Sequence, residues 1–232
     1  MKYLFFIIII FKSGIVFSQN MDSIAILEEV DSLIRLNEKL ITNSLFDEAI
    51  SSIESAEKKV INYFGKNNAT YALCLNIHGL TFSSKGQYNK AKLLFLEAKD
   101  IQAKVIGKNN PNYADILNNL GLLYINLNNY EEAESLLLES KSIRELCFGE
   151  YHKEVRASLQ SLAFMYTEMQ KYENAESYFI RAKVLYDKFN DKLNADYSSM
   201  LNNMGNMYKD IGRYSDAKKF YLEAISILEQ AG

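Results

Sequence analysis

The sequence predicts an all-α protein, an α-solenoid of five stacked helix-turn-helix units, and two observations lead to this fold. The first is a strict period of 42 residues in the 232-residue chain, because a leucine and an alanine recur in step: Leu33, Leu75, Leu117, Leu159 and Leu201, and Ala49, Ala91, Ala133, Ala175 and Ala217. Such a period is typical of a solenoid, in which each unit buries its apolar face only against its neighbours. The second is composition, since 10 Gly and 1 Pro are as few as a nearly all-helical chain requires.

The first residues are typical of a secretory signal peptide. A positively charged start is followed by an unbroken apolar run over residues 4–11, and Val16 and Ser18 are small enough for the −3 and −1 positions of a signal peptidase site. We therefore expect residues 1–18 to be removed. The alternative is a short membrane anchor, which is disfavoured because the run is below the ~17–25 residues that span a bilayer and Lys12 follows it.

The predicted signal peptide indicates an exported protein, periplasmic or secreted, and the leading hypothesis assigns it to a Gram-negative bacterium. No Cys follows the signal directly, which excludes a lipoprotein anchor, and no later segment is apolar enough to enter a membrane. Cleavage would remove Lys2 and Lys12 and change the formal charge from −3 to −5. Because this mild acidity offers no basic surface for phosphates, we expect no nucleic acid partner.

The third copy shows how one unit is built. Its first half carries an apolar stripe at helical spacing, through Leu117, Leu120, Gly121 and Tyr124. The polar segment 126–129 interrupts this stripe. A second stripe follows it, through Tyr130, Ala133, Leu137, Ser140 and Ile143. Gly149 then stands in the position of a C-terminal helix cap. Each unit is therefore predicted to be a helix, a short turn, a longer helix and a loop.

Other positions repeat with the same period. Close approach of the two helices in a unit is predicted by small residues at one position of the first helix: Gly79, Gly121, Ala163 and Gly205. An aromatic residue opens each second helix: Phe46, Tyr88, Tyr130, Tyr172 and Tyr214. Residues that tolerate positive φ lie in three of the turns: Gly86, Asn128 and Gly212. In addition, Asn110 precedes the lone Pro111, as an N-cap precedes the first helical residue.

These features resemble the tetratricopeptide repeat, in the 42-residue variety of kinesin light chains. The resemblance rests on the stretches YADILNNLGLLY at 113–124, NYEEAE at 129–134 and IRELCFG at 143–149. It implies a right-handed superhelix over residues 30–232, with repeats near 30–70, 71–112, 113–154, 155–196 and 197–232. The first copy departs from the pattern because Asn37 replaces the glycine. We expect residues 19–29 to extend its first helix as a cap.

Few residues could carry catalysis. His78 occupies a core position of the other copies, so we interpret it as a buried structural histidine, and we expect His152 to fix a loop between repeats by a hydrogen bond. Two helices separate Cys74 from Cys147, which disfavours a disulfide, and we interpret both thiols as buried and inert. The sequence contains no metal-binding, phosphate-binding or nucleophile motif. We therefore expect no enzyme activity, no catalytic or metal site and no cofactor.

The resemblance also implies a binding site, because in tetratricopeptide proteins the first helix of each unit lines the concave face. The register places side-chain amides and apolar residues there: Asn76, Leu80, Asn118, Asn119, Leu122, Gln160, Phe164, Asn202, Asn203 and Asn206. An amide donates and accepts hydrogen bonds, so it can pair with the backbone of an extended peptide, while apolar residues hold its anchors. The alternative is that these amides only solvate a helix surface.

The leading hypothesis is an exported, non-enzymatic scaffold that binds a partner protein or extended peptide in this concave groove. One alternative is the amino-terminal sensor arm of a longer protein that ends in a caspase-like CHAT protease domain, since similar bacterial proteins carry this signal peptide and these repeats. Another is self-association through the C-terminal repeat. No capping helix follows it, so Tyr221, Ile225 and Leu228 would be left partly exposed.

Overall fold

The computed structural model describes residues 17–189 and 195–231, with side chains over residues 22–189 and 195–230. These ranges contain ten α-helices and no strand: α1 Phe17–Thr42, α2 Phe46–Phe64, α3 Ala69–Ser84, α4 Tyr88–Val105, α5 Pro111–Asn126, α6 Tyr130–Phe148, α7 Arg156–Glu168, α8 Tyr172–Lys188, α9 Ala195–Asp210 and α10 Tyr214–Ala231. A short 3₁₀ helix, Lys153–Val155, precedes α7. The all-α prediction is confirmed. The predicted signal peptide lies outside the described residues except for Phe17 and Ser18.

The helices form five pairs. Each odd-numbered helix packs against the even-numbered helix that follows it, and each pair packs against the next pair. Every even-numbered helix begins at the aromatic residue that the sequence predicts: Phe46, Tyr88, Tyr130, Tyr172 and Tyr214. Residues 19–29, which we expected to extend the first unit, belong to α1. The period of the sequence is therefore a period of helix pairs.

The turn inside each pair uses one residue in the left-handed region, at the same position of all five copies. The prediction of positive φ is confirmed at Gly86, Asn128 and Gly212, with φ of 77°, 57° and 77°. Ser44 and Gln170 adopt the same conformation, with φ of 59° and 58°. The sequence does not mark these two turns, because neither serine nor glutamine favours positive φ. The packing of the helices imposes the turn in these two copies.

The loops between pairs are fixed by side-chain caps. Asn110 accepts a hydrogen bond at Oδ1 from the backbone N–H of Tyr113, 3.0 Å away, and α5 begins at Pro111. This confirms the predicted N-cap and first helical residue. His152 fixes the following loop, because its Nδ1 accepts a hydrogen bond from the backbone N–H of Glu154 at 3.3 Å. The loop-fixing role expected for His152 is also confirmed.

The stack has an inner and an outer layer. In the described ranges, successive odd-numbered helices contact one another, from α1 and α3 to α7 and α9, whereas successive even-numbered helices do not. The odd-numbered helices therefore form the inner layer, and the recurring alanines are buried between the layers in every unit: Ala49, Ala91, Ala133, Ala175 and Ala217. We call the surface of this inner layer the inner groove.

Tyrosine–glutamate hydrogen bonds connect neighbouring units. The hydroxyl of Tyr166 on α7 donates to the carboxylate of Glu134 on α6, and the hydroxyl of Tyr208 on α9 donates to Glu176 on α8. Burial, followed by the hydrogen bond to Glu176, raises the pKa of Tyr208 to about 12. These two hydrogen bonds hold α7 against α6 and α9 against α8.

The first unit replaces the recurring glycine by an asparagine that is fully buried. Asn37 donates hydrogen bonds from Nδ2 to the backbone carbonyl of Ala49, at 2.7 Å, and to the hydroxyl of Thr81, at 3.1 Å. These bonds connect α1 to α2 and to α3. A buried amide is costly unless it is hydrogen-bonded, and here the partners come from two neighbouring helices.

The prediction that His78 is buried in the core is confirmed, although only one of its two ring nitrogens has a hydrogen-bond partner among the described residues. Its Nδ1 lies 2.8 Å from Oε1 of Glu57 on α2, and its ring stacks on Phe82 with the centroids 4.7 Å apart. The histidine therefore belongs to the contact between the first and second units.

The two thiols lie in different surroundings, and both are free. Cys74 is buried, and this burial raises the pKa of its thiol to about 12. The prediction of a buried thiol is wrong for Cys147, which is exposed. Its position lies on the outward side of the last turn of each even-numbered helix, where Tyr63, Val105 and Phe189 are also exposed. An apolar residue type at this position therefore does not indicate burial.

Candidate functional site

The ten candidate residues lie on four helices of the inner layer. Asn76 and Leu80 belong to α3, and Asn118, Asn119 and Leu122 belong to α5. Gln160 and Phe164 lie on α7, and the last three lie on α9: Asn202, Asn203 and Asn206. Because these helices contact one another in sequence, the residues follow the inner groove from the second unit to the fifth.

A cavity of about 280 Å³ opens in this groove between α5, α7 and α9. Eight residues line it: Leu122, Gln160, Ser161, Phe164, Asp196, Ser199, Met200 and Asn203. Its apolar wall comes from Leu122, Phe164 and Met200, and polar groups form the remainder. The cavity therefore combines an apolar surface with hydrogen-bonding groups, the composition of sites that hold a side chain of a ligand.

Four of the ten candidates line this cavity, namely Leu122, Gln160, Phe164 and Asn203. Leu122 and Phe164 are half-buried and pack against the core beneath them. Gln160 donates from Nε2 to the hydroxyl of Tyr186, at 3.3 Å. These contacts hold the wall and one polar edge of the cavity in place.

The amides of α3 and α5 are less accessible than the sequence indicates. Asn76 and Asn118 are buried between successive inner helices. Asn119 donates from Nδ2 to Oδ1 of Asn76, at 3.0 Å, so these two amides pair across the helices. In contrast, Oδ1 of Asn118 is buried with no hydrogen-bond partner among the described residues. One acceptor in this row is therefore unsatisfied, which is costly unless a ligand or water donates to it.

The amides of α9 differ from one another. Asn202 is exposed and lines a second depression at the end of the stack rather than the cavity. Asn206 accepts a hydrogen bond at Oδ1 from the hydroxyl of Tyr221, at 2.8 Å, which fixes it against α10. Leu80, at the other end of the groove, is exposed and does not reach the cavity. The candidates therefore form a central group at the cavity and two flanking groups.

Sequence reasoning missed four residues that line the cavity: Ser161, Asp196, Ser199 and Met200. Ser161 follows Gln160 directly and corresponds in register to Asn119 and Asn203, so the repeat could have identified it. Asp196 and Ser199 lie in the first two turns of α9. Whether they reach the cavity depends on how far α9 is displaced along α7. The register does not specify that displacement.

Two further kinds of site are relevant to the described residues, a metal site and a membrane-spanning helix. Residues 22–189 and 195–230 contain no cluster of three or more metal-ligating side chains. Among the same residues, no helix combines the length and the apolar character needed to cross a bilayer. The arrangement that the inner groove offers is therefore one of apolar contacts and amide hydrogen bonds.

Sequence comparison identifies the family. The profile of the tetratricopeptide repeat matches residues 94–146 and 154–230, which is more than half of the chain. The chain belongs to the tetratricopeptide repeat family. No curated protein sequence matches this tetratricopeptide repeat protein significantly.

Solved structures with the same fold include kinesin light chain-like proteins. BtubC (BKLC) from P. vanneervenii aligns with a TM-score of 0.68 and 18% identity, over 93% of this chain and 92% of that chain. A Podospora anserina protein with nearly identical TPR-like repeats of a kinesin light chain aligns with a TM-score of 0.65 and 17% identity, over 87% of this chain and 95% of that chain. These likenesses confirm the tetratricopeptide solenoid predicted from the 42-residue period.

A third neighbour is a Rap protein, whose structure was solved in complex with Competence and Sporulation Factor. It aligns with a TM-score of 0.65 and 15% identity, over 88% of this chain and 65% of the Rap chain. At such low identities, these neighbours share the fold with this tetratricopeptide repeat protein, and its binding residues have to be argued from its own groove.

Proposed function

We propose that this tetratricopeptide repeat protein is a non-enzymatic scaffold that binds an extended segment of a partner protein in the inner groove. The observation that carries the proposal is the cavity between α5, α7 and α9, with its apolar wall of Leu122, Phe164 and Met200. Its volume of about 280 Å³ is just below the ~300–1,000 Å³ of small-molecule pockets. The cavity is open to solvent and has room for an apolar side chain of a peptide.

The polar groups beside the cavity suit a peptide backbone. Amides can donate to carbonyl groups and accept from N–H groups without selecting the side chains of the ligand. Gln160 and Asn203 line the cavity and are the amides that a bound backbone would reach. Asp196, at the rim of the cavity, favours a donor or a cation close to the apolar anchor. The proposed ligand is therefore an extended peptide with an apolar residue beside a basic or hydrogen-bond-donating one.

Selection of peptides from a displayed random library on the purified protein tests this function. We expect enriched peptides to share an apolar anchor, and we expect Phe164→Ala to weaken their binding at least about fivefold, since truncation of an aromatic contact at a binding site costs more than about 1 kcal/mol. The double variant Asn118→Ala and Gln160→Ala should also weaken binding. Isothermal titration calorimetry gives the dissociation constants.

The matched control is Leu93→Ala on α4, an apolar residue that is 70% exposed on the outer layer. This variant should bind the selected peptides as the unmodified protein does. If the selected peptides bind the unmodified protein, Phe164→Ala and the double variant with equal affinity, the binding site lies elsewhere. Failure to enrich any peptide would count against peptide binding itself.

We also propose that the scaffold acts after export, with residues 1–18 removed as a signal peptide. The proposal rests on the charge, the apolar run and the small residues of the first 18 positions. Mass spectrometry of the protein recovered from a Gram-negative host tests it. A mature chain that starts at Gln19 is expected, and a chain that retains Lys2 would contradict cleavage.

A further inference from the structure

The last unit ends in an apolar surface that no described residue covers. A depression of about 460 Å³ lies between α9 and α10, and its apolar side is formed by Tyr221, Ile225 and Leu228. Ile225 and Leu228 are 51% and 55% exposed, and Leu222 beside them is 56% exposed. We call the outward surface of α10 around these residues the end face.

One residue of the end face differs in chemical type from the residues at the same position of the other units. At the position of Ile225 the four earlier units carry charged residues: Glu57, Lys99, Lys141 and Lys183. Two of these charges contact the next inner helix, since Glu57 pairs with His78 and Lys183 donates to the hydroxyl of Tyr197, at 2.6 Å. An isoleucine can make neither contact. The end face is therefore suited to a more apolar partner than the junctions between repeats.

The opposite end of the stack is polar. Three positions of α1 carry exposed polar residues, Glu29, Ser32 and Lys39. The residues in the same register of the later inner helices are all buried: Tyr71, Tyr113, Val155 and Tyr197; Cys74, Ile116, Ser158 and Met200; and Thr81, Leu123, Met165 and Met207. Two large apolar residues of α1 are exceptions, Ile24 at 47% and Leu36 at 46% exposure. Head-to-tail stacking of two copies would bury the charges of Glu29 and Lys39 against an apolar surface, which is unfavourable.

The end face is complementary to itself. Lys218, Leu222, Ile225 and Glu229 follow a helical spacing of four, three and four residues and so form one stripe along α10. If two α10 helices lie antiparallel with Leu222 opposite Ile225, then Lys218 falls opposite Glu229. Two-fold symmetry repeats both pairs, so the apolar residues meet at the centre and opposite charges meet at both ends.

We propose that two copies of this protein associate tail to tail through the end face, with their α10 helices antiparallel. The centre of the contact is Leu222 and Ile225, flanked by Tyr221 and Leu228. Burial of these side chains removes an exposed apolar cluster from water. The proposal is independent of peptide binding in the inner groove, so either can fail without the other.

Sedimentation equilibrium of the purified protein tests the proposal. Across about 1 to 300 μM we expect a monomer–dimer equilibrium, since small interfaces give weak dimers. Ile225→Lys introduces the residue that stands at this position in three other units, so it should fold normally. We expect it to raise the dimer dissociation constant about a hundredfold, because each dimer would bury two unpaired ammonium groups.

Charge exchange tests the antiparallel pairing. Lys218→Glu and Glu229→Lys should each weaken the dimer, and the double variant should restore it. The control is Ile180→Lys on α8, which is 51% exposed and has the same register as Leu222; it should dimerise as the unmodified protein does. A strictly monomeric protein, or unchanged dimerisation of Ile225→Lys, would overturn the proposal. A double charge variant that stays weak would overturn the antiparallel pairing.

Discussion

Gly79 on α3 lies directly against the ring of Phe95 on α4. A Cβ atom at Gly79 would stand 2.6 Å from the nearest ring carbon, and Phe95 is fully buried, so its ring has little room to move. The same contact recurs in other units, where Gly121 meets Leu137 and Gly205 meets Tyr221. The small residue of the inner helix therefore makes room for the large residue sixteen positions later.

We predict that Gly79→Ala destabilises the second unit. Alanine favours a helix over glycine by about 0.5–1 kcal/mol, whereas forcing a methyl group into a packed core costs about 1–3 kcal/mol. The fourth unit packs Ala163 at the same position with the buried Phe179 sixteen residues later, so a small shift of the helices can relieve part of the clash, and the net loss should be at most about 1 kcal/mol. The shift of the urea unfolding midpoint, followed by circular dichroism, measures it.

A double-mutant cycle isolates the cause of that loss. With Phe95→Ala in place, the ring is absent and Gly79→Ala should become neutral or stabilising. An equal loss in both backgrounds would show that the ring is not responsible.

The turn at Gln170 yields a second prediction, that Gln170→Gly stabilises the protein. Gln170 holds φ at 58°, where a side chain costs about 1–2 kcal/mol, and the equivalent turns at Gly86 and Gly212 avoid this cost. We expect a gain of about 1 kcal/mol in the free energy of unfolding. Gln170→Ala is the control, since it removes the same polar group but retains a Cβ. Equal stability of the two variants would contradict the argument from φ.

The sequence predicts the fold well because every copy repeats the same local constraints. The alanine between layers and the aromatic at the start of each outer helix are specified five times over, and the turn position three times, so one departure does not conceal the pattern. Prediction of the turn conformation fails in the units whose turn residue departs from the pattern. Gln170 and Ser44 adopt the shared turn because neighbouring helices impose it, and residue type alone does not indicate this.

The candidate site is predicted in position but not in detail. The register identifies the inner face, and it places Gln160 and Phe164 at the cavity. It does not show that Asn119 hydrogen-bonds to Asn76, because that contact depends on the offset between α3 and α5. The same offset between α7 and α9 brings Asp196 to the cavity. Contacts between repeats are set by packing of whole helices, which a single repeat does not encode.

The two thiols should react very differently. Cys147 is exposed and Cys74 is buried, so a disulfide reagent at neutral pH should titrate one thiol in the folded protein and two after denaturation. In the Cys147→Ser variant, no thiol should react while the protein is folded. Two reactive thiols in the folded protein would mean that the contact between α3 and its neighbours opens readily.

Burial of the Cys74 thiol should make the folded protein less stable at alkaline pH. Burial, with a smaller contribution from Glu57, raises the pKa of this thiol from its ordinary 9.0 to about 12. Above pH 9.0 the unfolded chain releases the proton while the folded protein keeps it, so stability falls as pH rises towards 12. This group alone contributes a slope of at most about 1.4 kcal/mol per pH unit. Unfolding midpoints between pH 8 and about 11 should therefore fall less steeply in Cys74→Ala than in Cys147→Ser, which retains the buried thiol; equal slopes would contradict this assignment.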